Sequence, residues 1–277
     1  MAGIRTVALP SGERVPALGQ GTWRMGDDPA RRAEEIATLR RGLDLGLTLI
    51  DTAEMYGHGA SEELVGEAVR GRRDDVYLVS KVLPSHADRE GTVDACHASL
   101  RRLGTERIDL YLLHWRGDVP LHETVEALDA LVSEGSIGAW GVSNLDVDDL
   151  ADLPGGALPA TDQVLYNLTR RGPEYDLMPR CRELGVPIMA YSPVEQGRLL
   201  RHRALASVAA AHGRSPAQVA LAWVLRRDDV IAIPKASTVA HVEENRAALD
   251  LRLTDDDLAA LDRAFPPPAG RQPLDIL

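Results

Sequence analysis

Cysteine is nearly missing from this chain. Cys96 and Cys181 are the only two in 277 residues, both in amphipathic stretches, so no disulfide framework is expected. Long apolar runs are missing too. The N-terminal MAGIRTVALPSG lacks the apolar centre of a secretory signal, and no stretch approaches the roughly 18 apolar residues of a membrane-spanning helix. Positive charge is outweighed, 31 basic residues against 42 acidic, for a net charge of −11. Nucleic-acid binding needs a basic face and an anionic membrane repels such a chain, so neither is an expected partner. His86, His97, His114 and His122 show no ligand spacing with a supporting acid or thiolate, and no metal is expected. What these absences leave is a cytoplasmic protein of ordinary composition, 44% hydrophobic and 26% charged, able to bury a sizeable core.

Short apolar runs recur along the chain and read as buried strands: 47–51, 76–81, 108–114, 137–143, 162–166, 187–191 and 230–233, with a weaker one at 17–23. Between them lie stretches of helical periodicity. Ala33, Ile36, Leu39 and Leu43 share one face of 29–45, with Pro29 suited to the first turn and Gly46 to the C-terminal cap. Val93, Cys96, Leu100 and Leu103 make a second stripe before Gly104, and Val125, Leu128, Leu131 and Val132 a third before Gly135. Strand then helix, repeated eight times without a linker, predicts one α/β domain over residues 1–277, a (β/α)8 TIM barrel. RTVALPSGERVPALG predicts an N-terminal β-hairpin ahead of it. An extra loop with helical stretches near 204–212 and 216–226 separates strands seven and eight, and the Pro-rich tail from Phe265 is expected to lie irregularly over a surface or pocket.

In such a barrel the chemistry gathers at the C-terminal strand ends. The second strand ends in Asp51, the third in Lys81 and the fourth in His114, while Tyr56 lies in the loop after Asp51. Alternation puts Leu49 with Asp51, Val79 with Lys81, and Leu112 with His114. If those apolar partners face the core, the polar residues point into the mouth. Each alone has an ordinary reading: a turn cap, a solvated strand end, a core histidine, a surface aromatic. Together on one rim they read as a site. A tyrosine titrating near ~10 is a poor acid or base at neutral pH, and a lysine ammonium lowers that value. Asp51 would compensate the lysine, and His114 would orient a substrate oxygen. This is machinery for protonating an oxyanion forming at a carbonyl, and with no nucleophile it calls for an external hydride donor.

The runs LIDTAEMYG, SKV around Lys81, LYLLHW, GVSN, QVLYN, YSP and IPKAS resemble the successive signatures of the aldo-keto reductases, over nearly the whole chain. The wording, including GQGTWRMG, is similar to the bacterial branch that reduces methylglyoxal and other small aldehydes. The resemblance implies NADPH, the tetrad Asp51, Tyr56, Lys81 and His114, and a small-molecule aldehyde or ketone substrate on a monomer. It implies cofactor contacts at Gly21, Thr22 and Trp23. Ser143, Asn144 and Gln163 would meet the nicotinamide amide, and Tyr191 would stack on its ring. Ser192, Val194 and Gly197 would meet the pyrophosphate and Lys235 the adenosine 2′-phosphate, with Ala236 and Ser237 before a helix whose N-terminus suits a phosphate and with Pro193, Ile233 and Pro234 as further cofactor contacts. Glu244 and Asn245 would hold the adenine. His241 stands where many relatives have arginine, so a weaker preference for NADPH is expected, with NADH tolerated. Trp23, Met55 and Trp115 are expected to line the substrate pocket.

Two look-alikes fall away. Tyr77 and Lys81 have the Y-x-x-x-K spacing of short-chain dehydrogenases, but on a strand such residues lie too far apart to cooperate. Gly19, Gly21 and Gly26 suggest a dinucleotide loop, but Arg24 occupies the place of the third glycine. Two other functions remain open: an NADPH-binding regulatory subunit on the same fold, like the potassium-channel β-subunits, and a barrel lyase or isomerase using Lys81 as a Schiff base.

Overall fold

A computed structural model of the protein describes residues 4–277. The chain opens with β1 (Thr6–Ala8) and β2 (Arg14–Pro16), antiparallel, with Val7 opposite Val15. Val7, Leu9 and Val15 are buried, so the hairpin turns one face to the core.

Eight strands follow: β3 (Gln20–Gly21), β4 (Leu49–Asp51), β5 (Tyr77–Val82), β6 (Ile108–Leu113), β7 (Ile137–Ser143), β8 (Asp162–Leu165), β9 (Ile188–Tyr191) and β10 (Val230–Ala232). They pair in chain order, all parallel. The ladder also runs from last strand to first. Ala232 donates to the Ala17 carbonyl at 2.8 Å, Gly19 to Ala232 at 2.9 Å and Gly21 to Pro234 at 3.1 Å. The sheet therefore closes into the expected barrel, which leaves no free edge. This seam needs bare backbone, because a Cβ on Gly21 would lie 2.7 Å from the Ile233 oxygen and one on Gly19 2.5 Å from Leu49 Cδ2. Two of the glycines that resembled a dinucleotide loop, Gly19 and Gly21, are seam residues, while Gly26 turns at positive φ against the Ala60 carbonyl.

Parallel strands need crossovers, and helices supply them. These are α1 (Arg32–Asp44), α2 (Ala60–Ala68), α3 (Arg89–Leu103), α4 (Leu121–Glu134), α5 (Val147–Ala151) and α6 (Leu177–Leu184). Both α7 (Arg203–Ala211) and α8 (Pro216–Leu225) lie between β9 and β10, where the extra loop was expected, and α9 (Val239–Ala247) and α10 (Asp255–Ala264) follow. The stretch read as one helix from Pro29 begins instead as a 3-10 turn, Pro29–Arg31. The Asp28 side chain caps it by accepting from Ala30 N–H at 2.9 Å. The weak strand read over 17–23 shrinks to Gln20–Gly21, with a single bridge joining Leu18 to Ala232. No helix among the described residues is long and apolar enough to cross a membrane.

Candidate active site

Asp51 ends β4, Lys81 is the last residue but one of β5, and His114 directly follows β6, its N–H on the Val82 carbonyl at 2.9 Å. Tyr56 begins a 3-10 turn, Tyr56–Gly59, between β4 and α2. The four meet. Lys81 is fully buried, and its Nζ donates to Asp51 Oδ2 at 2.8 Å, to the Thr52 carbonyl at 2.8 Å and to Tyr56 Oη at 3.3 Å. The Tyr56 and His114 rings lie edge to face, 5.9 Å apart. Three acceptors around one ammonium use its three donors in full, which is what permits a charge to sit in the core.

Burial pulls the Lys81 ammonium down, but Asp51 and Tyr56 push it up further, so it stays charged. Burial raises the Tyr56 phenol above its ordinary value, Lys81 lowers it, and Asp51 raises it again, for a net rise. The expectation of a more acidic Tyr56 is therefore corrected: the lysine acts in the expected direction, and desolvation outweighs it. Burial and the Lys81 charge bring His114 down to about 3, leaving a neutral imidazole. Its Nδ1 is enclosed with no hydrogen-bond partner among the described residues. An enclosed nitrogen without an acceptor is better left unprotonated, which puts the ring's one proton on Nε2.

A hydrogen-bonded chain runs on from Asp51. Gln163 Nε2 donates to Asp51 Oδ1 at 2.8 Å and to Met189 Sδ at 3.0 Å, and the Gln163 carbonyl accepts from Ser143 Oγ at 2.8 Å. Asn144, with φ +57°, donates from Nδ2 to Ser143 Oγ at 3.0 Å and to the His114 carbonyl at 3.1 Å, and accepts from Tyr191 Oη at 3.1 Å. Ser143, Asn144, Gln163 and Tyr191 thus join the tetrad in one network. Thr22 is fully buried and turned to bracing: its hydroxyl donates to the Asp51 carbonyl at 2.9 Å and accepts from Ser61 at 2.8 Å.

The remaining expected residues form three further groups. Gly21, Ile233, Pro234, Lys235, Ala236 and Ser237 lie along the seam, where Gly21 bridges Lys235. Ser192, Pro193, Val194 and Gly197 open the loop after β9. Ser192, Glu195 and Gln196 there adopt positive φ, strain of the kind found around ligand sites. His241, Glu244 and Asn245 lie on α9, His241 exposed and Asn245 buried. At the rim, Trp23 and Met55 are exposed, and Trp115 packs 4.8 Å from the His114 ring. The Y-x-x-x-K look-alike is not a site, since the Tyr77 hydroxyl is buried without a partner among the described residues.

Sequence reasoning missed several supports. Buried Glu195 accepts from Asn167 at 2.8 Å and Arg198 at 2.9 Å, and pairs with Arg170 at 3.1 Å, holding the strained loop. Arg31 reaches the Ser237 carbonyl at 3.0 Å. Only the three non-glycine residues at positive φ would single out that loop, and backbone angles are not visible in a sequence.

A closed parallel β/α barrel with aspartate, lysine and histidine at neighbouring strand ends and a tyrosine in the adjoining loop defines an oxidoreductase of the aldo/keto reductase family, and the chain belongs to it: the model of that family matches residues 17–265. The chain is similar to the methylglyoxal reductase YeaE of Escherichia coli (strain K12), 52% identical over 271 residues with 95% of each covered. The glyoxal reductase of Bacillus subtilis (strain 168) is 33% identical over 264 residues, covering 93% of this chain and 91% of that one. A crystal structure of an aldo-keto reductase from Klebsiella pneumoniae in complex with NADPH matches with TM-score 0.96 and 51% identity, covering 100% of both chains.

Proposed function

We propose that the chain is an NADPH-dependent reductase of small aldehydes such as methylglyoxal, a single barrel domain over residues 1–277, acting as a monomer in the cytoplasm. The observation that carries this is the Lys81 ammonium, 2.8 Å from Asp51 and 3.3 Å from the Tyr56 oxygen, beside a neutral His114. The similarity to a methylglyoxal reductase at 52% identity supports the substrate class, and a relative crystallised with NADPH supports the cofactor.

The residues present fit NADPH. Lys235 is half-buried and makes no ion pair or hydrogen bond among the described residues, a cation suited to a phosphate. The strained loop at Ser192–Gly197 offers backbone N–H groups to a pyrophosphate, and the half-buried Tyr191 ring offers a stacking face. Ser143, Asn144 and Gln163 would meet the carboxamide, Gly21, Thr22 and Trp23 would line the near wall, and Glu244 and Asn245 would hold the adenine. Trp23, Met55 and Trp115 would line the substrate pocket. When bound, NADPH supplies the hydride for the carbonyl carbon. Tyr56 gives its proton to the carbonyl oxygen. Lys81, already donating to Tyr56 Oη, stabilises the phenolate left behind, and Asp51 keeps Lys81 charged and in place. His114 donates from Nε2 to the same substrate oxygen and orients it.

The test is an aldehyde panel with both nicotinamide cofactors, comparing wild type with Tyr56→Phe. Removing the phenolic hydroxyl should cut reduction by roughly 10²–10⁴-fold, while NADPH still binds. Retained turnover in the variant would overturn the proton-donor role. Intact NADPH binding with no turnover by wild type on any aldehyde would favour the regulatory-subunit reading.

A further inference from the structure

His241 is an exposed residue of α9. The fold brings an arginine from elsewhere in the chain to the segment that leads into this helix. Arg31 ends the 3-10 turn before α1, yet its Nη2 donates to the Ser237 carbonyl, 206 residues away, at 3.0 Å. Ser237 is two residues beyond Lys235 and directly precedes Thr238, the N-cap of α9.

The surroundings suit an anion. Burial holds the Lys235 ammonium below its ordinary value; Glu35 and Asp27 work against this, while Arg31 and Arg24 add to it. Among the described residues Arg31 pairs with Glu34 alone, at 3.7 Å, beyond hydrogen-bonding range. The Ser237 carbonyl takes one of five guanidinium donors, which leaves the rest of the fork free. Arg31 and Lys235 repel each other despite the acids nearby, and a bound dianion turns that repulsion into attraction. The first N–H groups of α9 lack intrahelical partners and add to the field at that point.

We propose that Arg31 reads the adenosine 2′-phosphate of NADPH, together with Lys235 and the N-terminus of α9. This rests on the cofactor reading above. It replaces the weak NADPH preference expected from His241 with a firm one, and it moves that preference to the leading turn of α1.

Binding of NADPH, NADH, 2′,5′-ADP and 5′-AMP is measured calorimetrically for wild type, Arg31→Leu and Arg31→Lys, without turnover. Arg31→Leu should weaken NADPH and 2′,5′-ADP by roughly 10–100-fold and shift NADH and 5′-AMP by less than about twofold. Arg31→Lys keeps the charge without the fork and should lose less. Adding His241→Arg to Arg31→Leu should restore part of the NADPH affinity. Equal weakening of all four ligands would make Arg31 a structural brace of the seam and overturn the proposal. Unchanged NADPH affinity would overturn it as well. If the leucine variant does not fold, Arg31→Lys decides by the same selectivity. Wild type that binds no nicotinamide nucleotide overturns the cofactor reading and this inference with it, whereas loss of selectivity alone can fail without touching that reading.

Discussion

Lys81 and Lys235 are the only lysines in the chain; every other basic residue is arginine. Both lie where a compact point charge suits the chemistry, one at a phenol oxygen and one at the phosphate end of the proposed cofactor site. The phenol sets the pH dependence. With Tyr56 as the proposed proton donor, reduction needs it protonated, and its pKa is raised, so kcat for reduction should hold through neutral pH. It should fall only as pH climbs past tyrosine's ordinary ~10. Oxidation of the alcohol needs the phenolate and should rise with pH instead. His114 titrates at about 3, so no inflection should appear near the ordinary histidine value of 6.5. A pH profile of kcat in both directions tests this, and a step between pH 6 and 7 that vanishes in His114→Gln would contradict it. The tetrad was legible because strand alternation and rim position are periodic properties. The net direction for Tyr56 was not, because desolvation depends on how neighbouring loops enclose the ring.

Among the elements, close packing of α2 on α3 rests on a single missing methyl. A Cβ on Gly66 would lie 2.4 Å from the Leu103 carbonyl oxygen, a backbone atom that cannot rotate away. Gly66→Ala should therefore destabilise the fold by about 1–3 kcal/mol despite its better helix propensity. Denaturant unfolding measures it, and an unchanged midpoint would refute this account of the helix pair. Element type was well signalled where periodicity was long, as in α1, α3 and α4. Three of the shorter helices, α2, α5 and α6, were not placed individually. α5 has five residues, held by a capping box in which Asp146 accepts from Asp149 N–H and Asp149 accepts in return. α10 was overlooked although Thr254 and Asp257 form the same device, a signal present in the sequence. α8 is buried all round from Gln218 to Leu225, so it lacks the amphipathic stripe that marks a surface helix.

Across the whole molecule, the C-terminal tail ties several crossover loops together. Arg271 pairs with Asp148 at 2.8 Å, Asp176 at 3.1 Å and Asp146 at 3.3 Å, and Asp275 with Arg170 at 3.4 Å. The Leu277 N–H reaches the hydroxyl of Tyr191, which places the tail's end on the proposed cofactor wall. These ion pairs are largely exposed, and solvent screening keeps their contribution to stability small. Deleting residues 271–277 should therefore raise KM for aldehydes while lowering Tm by only about 2–4 °C. Paired kinetics and thermal unfolding check this, and a collapse in Tm with unchanged KM would make the tail a structural clamp instead.

The chain by itself determined the repeat of strand and helix, the hairpin, the extra helices before β10 and the four residues at the strand ends. Each follows from periodicity or local turn chemistry within a few residues. Tertiary structure alone decided that Gly21 and Pro234 close the barrel, that Gln163 holds Asp51 across 112 residues, and that Arg31 meets Ser237 across 206. Those pairings come from the curvature of a closed sheet, which brings distant parts of the chain together without leaving a local pattern in either of them.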